Sequence, residues 1–181
     1  GVNRKIDTEA LRAALRTGAA GDALFQVRPP NDPAAFAVQL DRFFPRHAGS
    51  HLVGPALKLS WLSFGEAGSL VSLDLAVIVQ IPAGRVALLG TARMGIPGME
   101  WLFAFRLDLL GILDPVEQLL SIEASLVDSH VLGIFDIHGD AALLFSWGSQ
   151  PYTVVSIGGF YPGFDPKPAR VQPLRRAGMT L

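Results

Sequence analysis

Over residues 70–81 the chain alternates strictly. Val71, Leu73, Leu75, Val77, Val79 and Ile81 fall on one face, while Ser72, Asp74 and Gln80 share the other with Leu70, Ala76 and Ile78. Successive side chains of a β-strand point to opposite faces, whereas a helix repeats its apolar residues every three to four positions. The run therefore predicts a strand, about twice the usual length of roughly 5–6 residues. A strand that long needs neighbours of similar length, and the rest of the chain supplies them.

The same period recurs over 52–63, with a break or bulge expected at Gly54-Pro55. Pro82-Ala83-Gly84 turns the chain into 86–94, and further strands are predicted at 101–113, 119–127 and 131–137. Gly139-Asp140 reads as a tight turn leading into 141–147, and residues 148–151 turn the chain into 152–157. The stretch 139–166 is the most architectural part: two strands joined by a turn and closed by a Gly/Pro-rich corner. Short turns between long strands predict an antiparallel meander of about eight strands.

Two helices precede the strands. Asp7-Thr8-Glu9 provides a polar cap and an acidic first turn, Leu11, Ala14 and Leu15 follow at helical spacing, and Gly18 marks the stop. Residues 18–31 read as a loop with a short strand at 24–27. Asp32-Pro33 opens a second helix with the stripe Phe36, Leu40 and Phe43, ending before Pro45. The predicted fold class is mainly β (α+β): a helical segment at 1–48, an antiparallel sheet domain at 49–164 and a Pro/basic extended tail or linker at 165–181. Helices placed before the sheet, not between its strands, exclude a doubly wound nucleotide-binding fold.

Composition bears on what the sheet meets. Half of the 181 residues are hydrophobic and 17% are charged, against roughly 25% charged in an ordinary domain. Mean hydropathy is +0.36, yet no apolar run reaches the ~20 residues of a spanning helix. The excess belongs in a core, against a partner or against lipid. A net charge of −1 provides no field to recruit nucleic acid. The absence of cysteine excludes disulfides, thiolate metal sites and cysteine nucleophiles and leaves the compartment open. The opening GVNRKID and closing RRAGMTL read as a piece of something longer.

In a half-exposed sheet the second faces should be polar. Here they hold Leu70, Ile78, Leu89, Leu102, Leu110, Leu132, Ile134, Leu144 and Val154. With the fully apolar face assigned to the core, these residues form the expected packing or binding surface. Its occupants are flanking domains, other copies of the protein, or a lipid or other hydrophobic ligand.

Residues 119–151 (LLSIEASLVDSHVLGIFDIHGDAALLFSWGSQP) and 154–166 (VVSIGGFYPGFDP), with IVQIP at 78–82 and VALLGTARMGIP at 86–97, resemble a family of large, functionally uncharacterised, β-rich bacterial proteins. The resemblance covers roughly 70–166, and its most specific element is a GGFHPxF-type motif, here GGFYPGF at 158–164. Tyr161 stands where that pattern has His, so any ligand or base role of the His is lost here. The motif corner comprises Gly158, Gly159, Phe160, Pro162 and Phe164, with the glycines allowing positive φ and the phenylalanines expected to anchor it by burial. The resemblance implies no activity.

Candidate chemistry is sparse. Asp128, His130, Asp136, His138 and Asp140 form the densest polar cluster, with Asp136 and His138 alternating onto one strand face as weak metal candidates. Turns and strand ends also collect Asp, Ser and His, and that reading is preferred. His47 and His51 lack a third ligand and read as loop residues. Trp61, Trp101 and Trp147, with Phe103, Phe105 and Phe145, read as core packing. Lys167, Arg170, Arg175 and Arg176 read as a solvated basic tail. No GxGxxG, P-loop, HExxH or GxSxG is present. The expectation is a non-catalytic structural or assembly module without cofactor. The alternative is a lipid-binding or transfer module with an apolar trough, and a membrane-inserting barrel ranks third.

Overall fold

The computed structural model describes residues 1–25, 32–65, 68–161, 163–165, 167, 169 and 173–181. Three helices, α1 (Thr8–Leu15), α2 (Ala19–Leu24) and α3 (Pro33–Phe43), precede β1 (His51–Val53), β2 (Ala56–Ser63), β3 (Ser69–Ile81), β4 (Arg85–Gly95), β5 (Phe103–Asp114), β6 (Leu119–Val131), β7 (Phe135–Ser146), β8 (Tyr152–Ile157) and β9 (Gly178–Thr180). All strand pairs are antiparallel. They form one nine-stranded sheet in which β3 to β8 lie in sequence order. One edge of the sheet is shared by β1 and β2, both on β3, and the other by β8 and β9, both on β7. The predicted mainly-β meander is the observed architecture.

The helix starts follow the capping chemistry. Asp7 Oδ1 accepts from the Ala10 amide at 2.9 Å, and Asp32 Oδ1 accepts from Ala34 and Ala35 at 3.0 Å each. The segment after Gly18 differs from expectation: Leu24 belongs to α2, Phe25 caps it, and the rest of the expected 24–27 strand lies outside the described residues. The small residues of α2 gave no apolar stripe, yet Ala20, Gly21 and Ala23 are buried. A Cβ at Gly21 would lie 2.4 Å from Thr91 Oγ1, so this helix rests directly on the sheet.

The break at Gly54-Pro55 divides β1 from β2, and Gly54 sits where a Cβ would reach within 1.7 Å of the Val77 carbonyl oxygen. The expected strand 131–137 and turn at Gly139-Asp140 are corrected. β6 runs through Asp128, Ser129 and His130 to Val131, and the reversal falls at Leu132-Gly133-Ile134, where Leu132 and Gly133 take positive φ. β7 then continues through residues 139 and 140. β5 begins at Phe103, which leaves Trp101 and Leu102 in the preceding turn. The segment 165–181, expected as a tail or linker, returns to the sheet through β9.

The helices lie on one face of the sheet. Ile6, Leu11, Leu15 and Phe43 join Ala87, Leu89, Leu110 and Ile112 in one buried cluster, with Ile78 and Leu52 packed against it.

Candidate functional site

The hydrogen-bonded register assigns every strand residue to a face. On the face away from the helices, one row reads Val77, Leu88, Gly111, Ile122, Leu143 and Val155. The next reads Leu57, Leu75, Gly90, Leu109, Ala124, Ala141 and Ile157. Flanking rows carry Leu59, Leu73, Ala92, Leu107 and Leu126 on one side and Val79, Val86, Leu113, Leu120, Phe145 and Thr153 on the other. Thr153 is the one polar side chain in these rows, and none is charged.

Among the described residues no helix lies over this face. Leu59, Leu88 and Phe145 are 43%, 36% and 46% exposed, and Ile157 at the β8 edge is 83% exposed. The gaps left by its glycines are filled from alongside: a Cβ at Gly90 would lie 2.9 Å from Leu75 Cδ2, and one at Gly111 3.3 Å from Leu88 Cβ. At one end stand Trp61, Met94 and Phe105, with Phe103 and Phe105 rings 6.0 Å apart. At the other, Phe145 and Trp147 are also 6.0 Å apart. Trp61, Trp101 and Trp147 are 48%, 60% and 40% exposed, so the tryptophans expected in the core lie outside it.

The helix-covered face is chemically mixed. In its central row, Ile78, Ala87, Ile112, Ser121, Leu144 and Val154, the first three pack with the helices and Ser121 accepts from Arg12 of α1. Around it lie buried carboxylates, each met by arginine. Arg12 Nε donates to Glu123 at 2.6 Å and its terminal nitrogen to Ser121 at 3.1 Å. Arg85 reaches Asp114 at 2.6 Å and Arg93 reaches Asp74 at 2.7 Å. Arg106 holds Asp108 at 2.9 Å, Asp22 at 2.8 Å and the Gly18 carbonyl at 2.7 Å. Burial alone would lower the Arg106 pKa, but the hydrogen bond and charge of Asp108, then Asp22, outweigh it and raise it above its ordinary value.

The two faces are thus the reverse of the sequence expectation. Of the residues assigned to an accessible second face, Leu89, Leu110 and Leu144 are buried and Ile78 packs against the helical core, while Leu70 and Val154 are half-buried on the same side. Leu102, Leu132 and Ile134 lie in turns. Apolar count alone put the purest row inside. Arg12 from α1 and Arg85, Arg93 and Arg106 on the strands themselves instead let the mixed row take the interior, because each carboxylate there is matched.

The polar cluster disperses among separate partners. Asp128 lies at a bulge between Leu126 and Ser129 with positive φ, and His130 Nε2 meets the Glu100 carbonyl oxygen at 2.9 Å. Asp136 and His138 pair across the β7 edge with Thr180 and Gly178. His51 Nδ1 lies 3.5 Å from the Asn3 amide, and the His47 amide donates to the Asn3 carbonyl. Among the described residues no three His, Asp or Glu side chains are placed to hold one ion. A cavity of about 420 Å³ touches Arg93 and Arg106, but both guanidinium groups are already engaged with Asp74 and Asp108.

At the motif corner Gly158 and Gly159 take φ of 73° and 94°. Phe160 and Phe164 stack on each other at 5.2 Å, and Phe164 stays 53% exposed where burial was expected. Tyr161 is exposed, and Pro162 lies outside the described residues, as does Arg170.

A family model, DUF6603, described as a family of unknown function, matches residues 1–181. The chain belongs to this family. Membership extends over the whole chain, beyond the 70–166 of the motif resemblance. No curated protein and no solved structure matches it.

Residues 174–180, which read by composition as a linker, are seated on β7 through β9. The Asp140 carboxylate takes hydrogen bonds from the Arg175 amide at 2.7 Å and its Nε at 3.0 Å, and from Ser125 Oγ at 2.8 Å. Burial of Asp140 opposes its ionisation, but the Arg175 side chain, the Arg175 amide and Ser125 outweigh that and hold its pKa below the ordinary carboxylate value.

Proposed function

We propose that this chain is a non-catalytic structural module of a larger β-rich assembly, packing through the open sheet face against another protein surface. The observation that carries this reading is the uncharged face opposite the helices, whose longest row runs from Leu57 on β2 to Ile157 on β8. With strands about 4.8 Å apart and rows about 6.7 Å apart, the named positions cover about 770 Å². The largest apolar patch on an ordinary monomer is about 300–600 Å², and a stable protein interface buries about 800 Å² per partner. Filling of the Gly90 and Gly111 gaps by Leu75 and Leu88 suits sheet-on-sheet packing better than a trough. The corner at 158–164 is read as the local counterpart of the GGFHPxF-type motif of large bacterial relatives, with a structural role in turning the chain off β8.

The second reading, a surface for lipid or another hydrophobic ligand, draws on one observation: aromatic residues stand at both ends of the aliphatic rows, Trp61 with Phe105 and Phe145 with Trp147. Replacing Leu88 and Phe145 together by lysine tests the favoured reading. Sedimentation should show self-association that is markedly weaker in the double variant than in the wild type, while the double variant stays folded. A wild type that sediments as a non-associating monomer contradicts it.

A further inference from the structure

The outer edge of β7 is shared by two strands. β8 pairs with residues 141–146, and β9 pairs with Asp136, Ile137 and His138. The arm at 174–180 that carries β9 lies in a seat cut by glycines. A Cβ at Gly139 would lie 3.1 Å from Ala177 Cα, one at Gly158 3.0 Å from Ala177 Cβ, and one at Gly159 3.2 Å from the Leu174 carbonyl oxygen. No larger side chain fits beneath Ala177 without displacing the arm.

Beside this slot is a charged anchor. The Asp140 side chain is 2% exposed and binds the Arg175 amide and Nε as described. A terminal Arg175 nitrogen donates to the Leu126 carbonyl at 3.0 Å and to Ser125 Oγ, and the Asp140 amide donates to the Arg175 carbonyl at 3.2 Å. Arg16, the C-cap of α1, approaches the same carboxylate at 3.5 Å. The seat therefore reads main chain by strand pairing, one arginine by a buried carboxylate, and one small residue by a glycine slot. These are the elements of peptide recognition by strand addition. The arm contributes little to the core, since Met179 is 57% and Leu181 95% exposed. Its release breaks the β9 pairing and the Arg175 contacts with Asp140, Ser125 and Leu126, all of which an identical arm can remake.

We propose that this seat is a strand-acceptor site that takes the 174–180 arm of a second copy of the chain as well as its own, joining copies by exchanged arms. Exchange between identical chains re-forms every contact in trans, which makes it a low-cost route to association. The proposal stands on the β7 edge and is independent of the open sheet face.

The test uses the 181-residue chain, which has no cysteine of its own. Ile137 and Met179 are register partners, and antiparallel partners lie about 4.5–5.5 Å apart at Cα, within disulfide range. The doubly substituted chain, Ile137→Cys with Met179→Cys, should close an internal disulfide under mild oxidation, which reports that the chain is folded and the pair competent. Mixing the Ile137→Cys chain with the Met179→Cys chain should then give a disulfide-linked heterodimer. Its yield should fall about tenfold when the Met179→Cys chain also carries Arg175→Ala. Efficient internal closure in the double variant with no heterodimer above the unmixed controls overturns the proposal, and so does a heterodimer yield indifferent to Arg175→Ala. Association through the open face leaves these cysteines apart and gives neither signal.

Discussion

Val77 and Ile78 are consecutive on β3 and occupy opposite environments. Ile78 packs against the cluster of Leu11, Phe43, Ala87 and Ile112 beneath the helices, while Val77 lies in the open row with Leu88 and Gly111. Ile78→Asp places an unmatched charge among apolar groups and should cost about 4 kcal/mol or more, enough to unfold the chain. Val77→Asp should cost about 1 kcal/mol in the isolated chain and weaken its self-association through the open face. Chemical denaturation of both variants checks this; equal unfolding would show that both faces are internal.

The arginines under the helices should behave as matched pairs. Arg106→Met leaves Asp108, whose side chain is 2% exposed, without its main partner. The expected cost is about 3 kcal/mol. Adding Asp108→Leu should restore most of that loss, because the stranded charge leaves with its partner. A double variant as unstable as the single would contradict the pairing account.

Acid should loosen the arm. Asp140 has its pKa lowered in the folded chain, chiefly by Arg175 acting against burial. The unfolded chain therefore takes up this proton first as pH falls, so the stabilisation is complete above the ordinary carboxylate value of about 3.9 and is lost as pH falls through the lower folded value. The wild type should melt above Asp140→Asn at pH 6, and the gap should narrow progressively below pH 4. A gap constant with pH would remove Asp140 ionisation from the account.

The strands and the capped helices were legible because period two and Asp caps are local signals. Residues 70–81 became β3, and Asp7 and Asp32 cap α1 and α3. What sequence could not rank was which face lies inside. That depends on Arg12, Arg85, Arg93 and Arg106 finding the carboxylates of the mixed face, a relation between residues as far apart as Arg12 and Glu123. Helix α2 was hidden because Ala and Gly pack without an apolar stripe. Gly139 and Asp140 carry turn chemistry by type but serve close approach and a buried ion pair, and their partner Arg175 sits in a stretch whose composition reads as a linker.

Native mass spectrometry of the purified chain, before and after organic extraction, tests most directly whether the open face meets protein. The account predicts lipid-free masses of self-associated chains, unchanged by extraction. A monomer carrying acyl-chain masses that extraction removes would contradict it and assign the rows through Val77 and Leu75 to lipid.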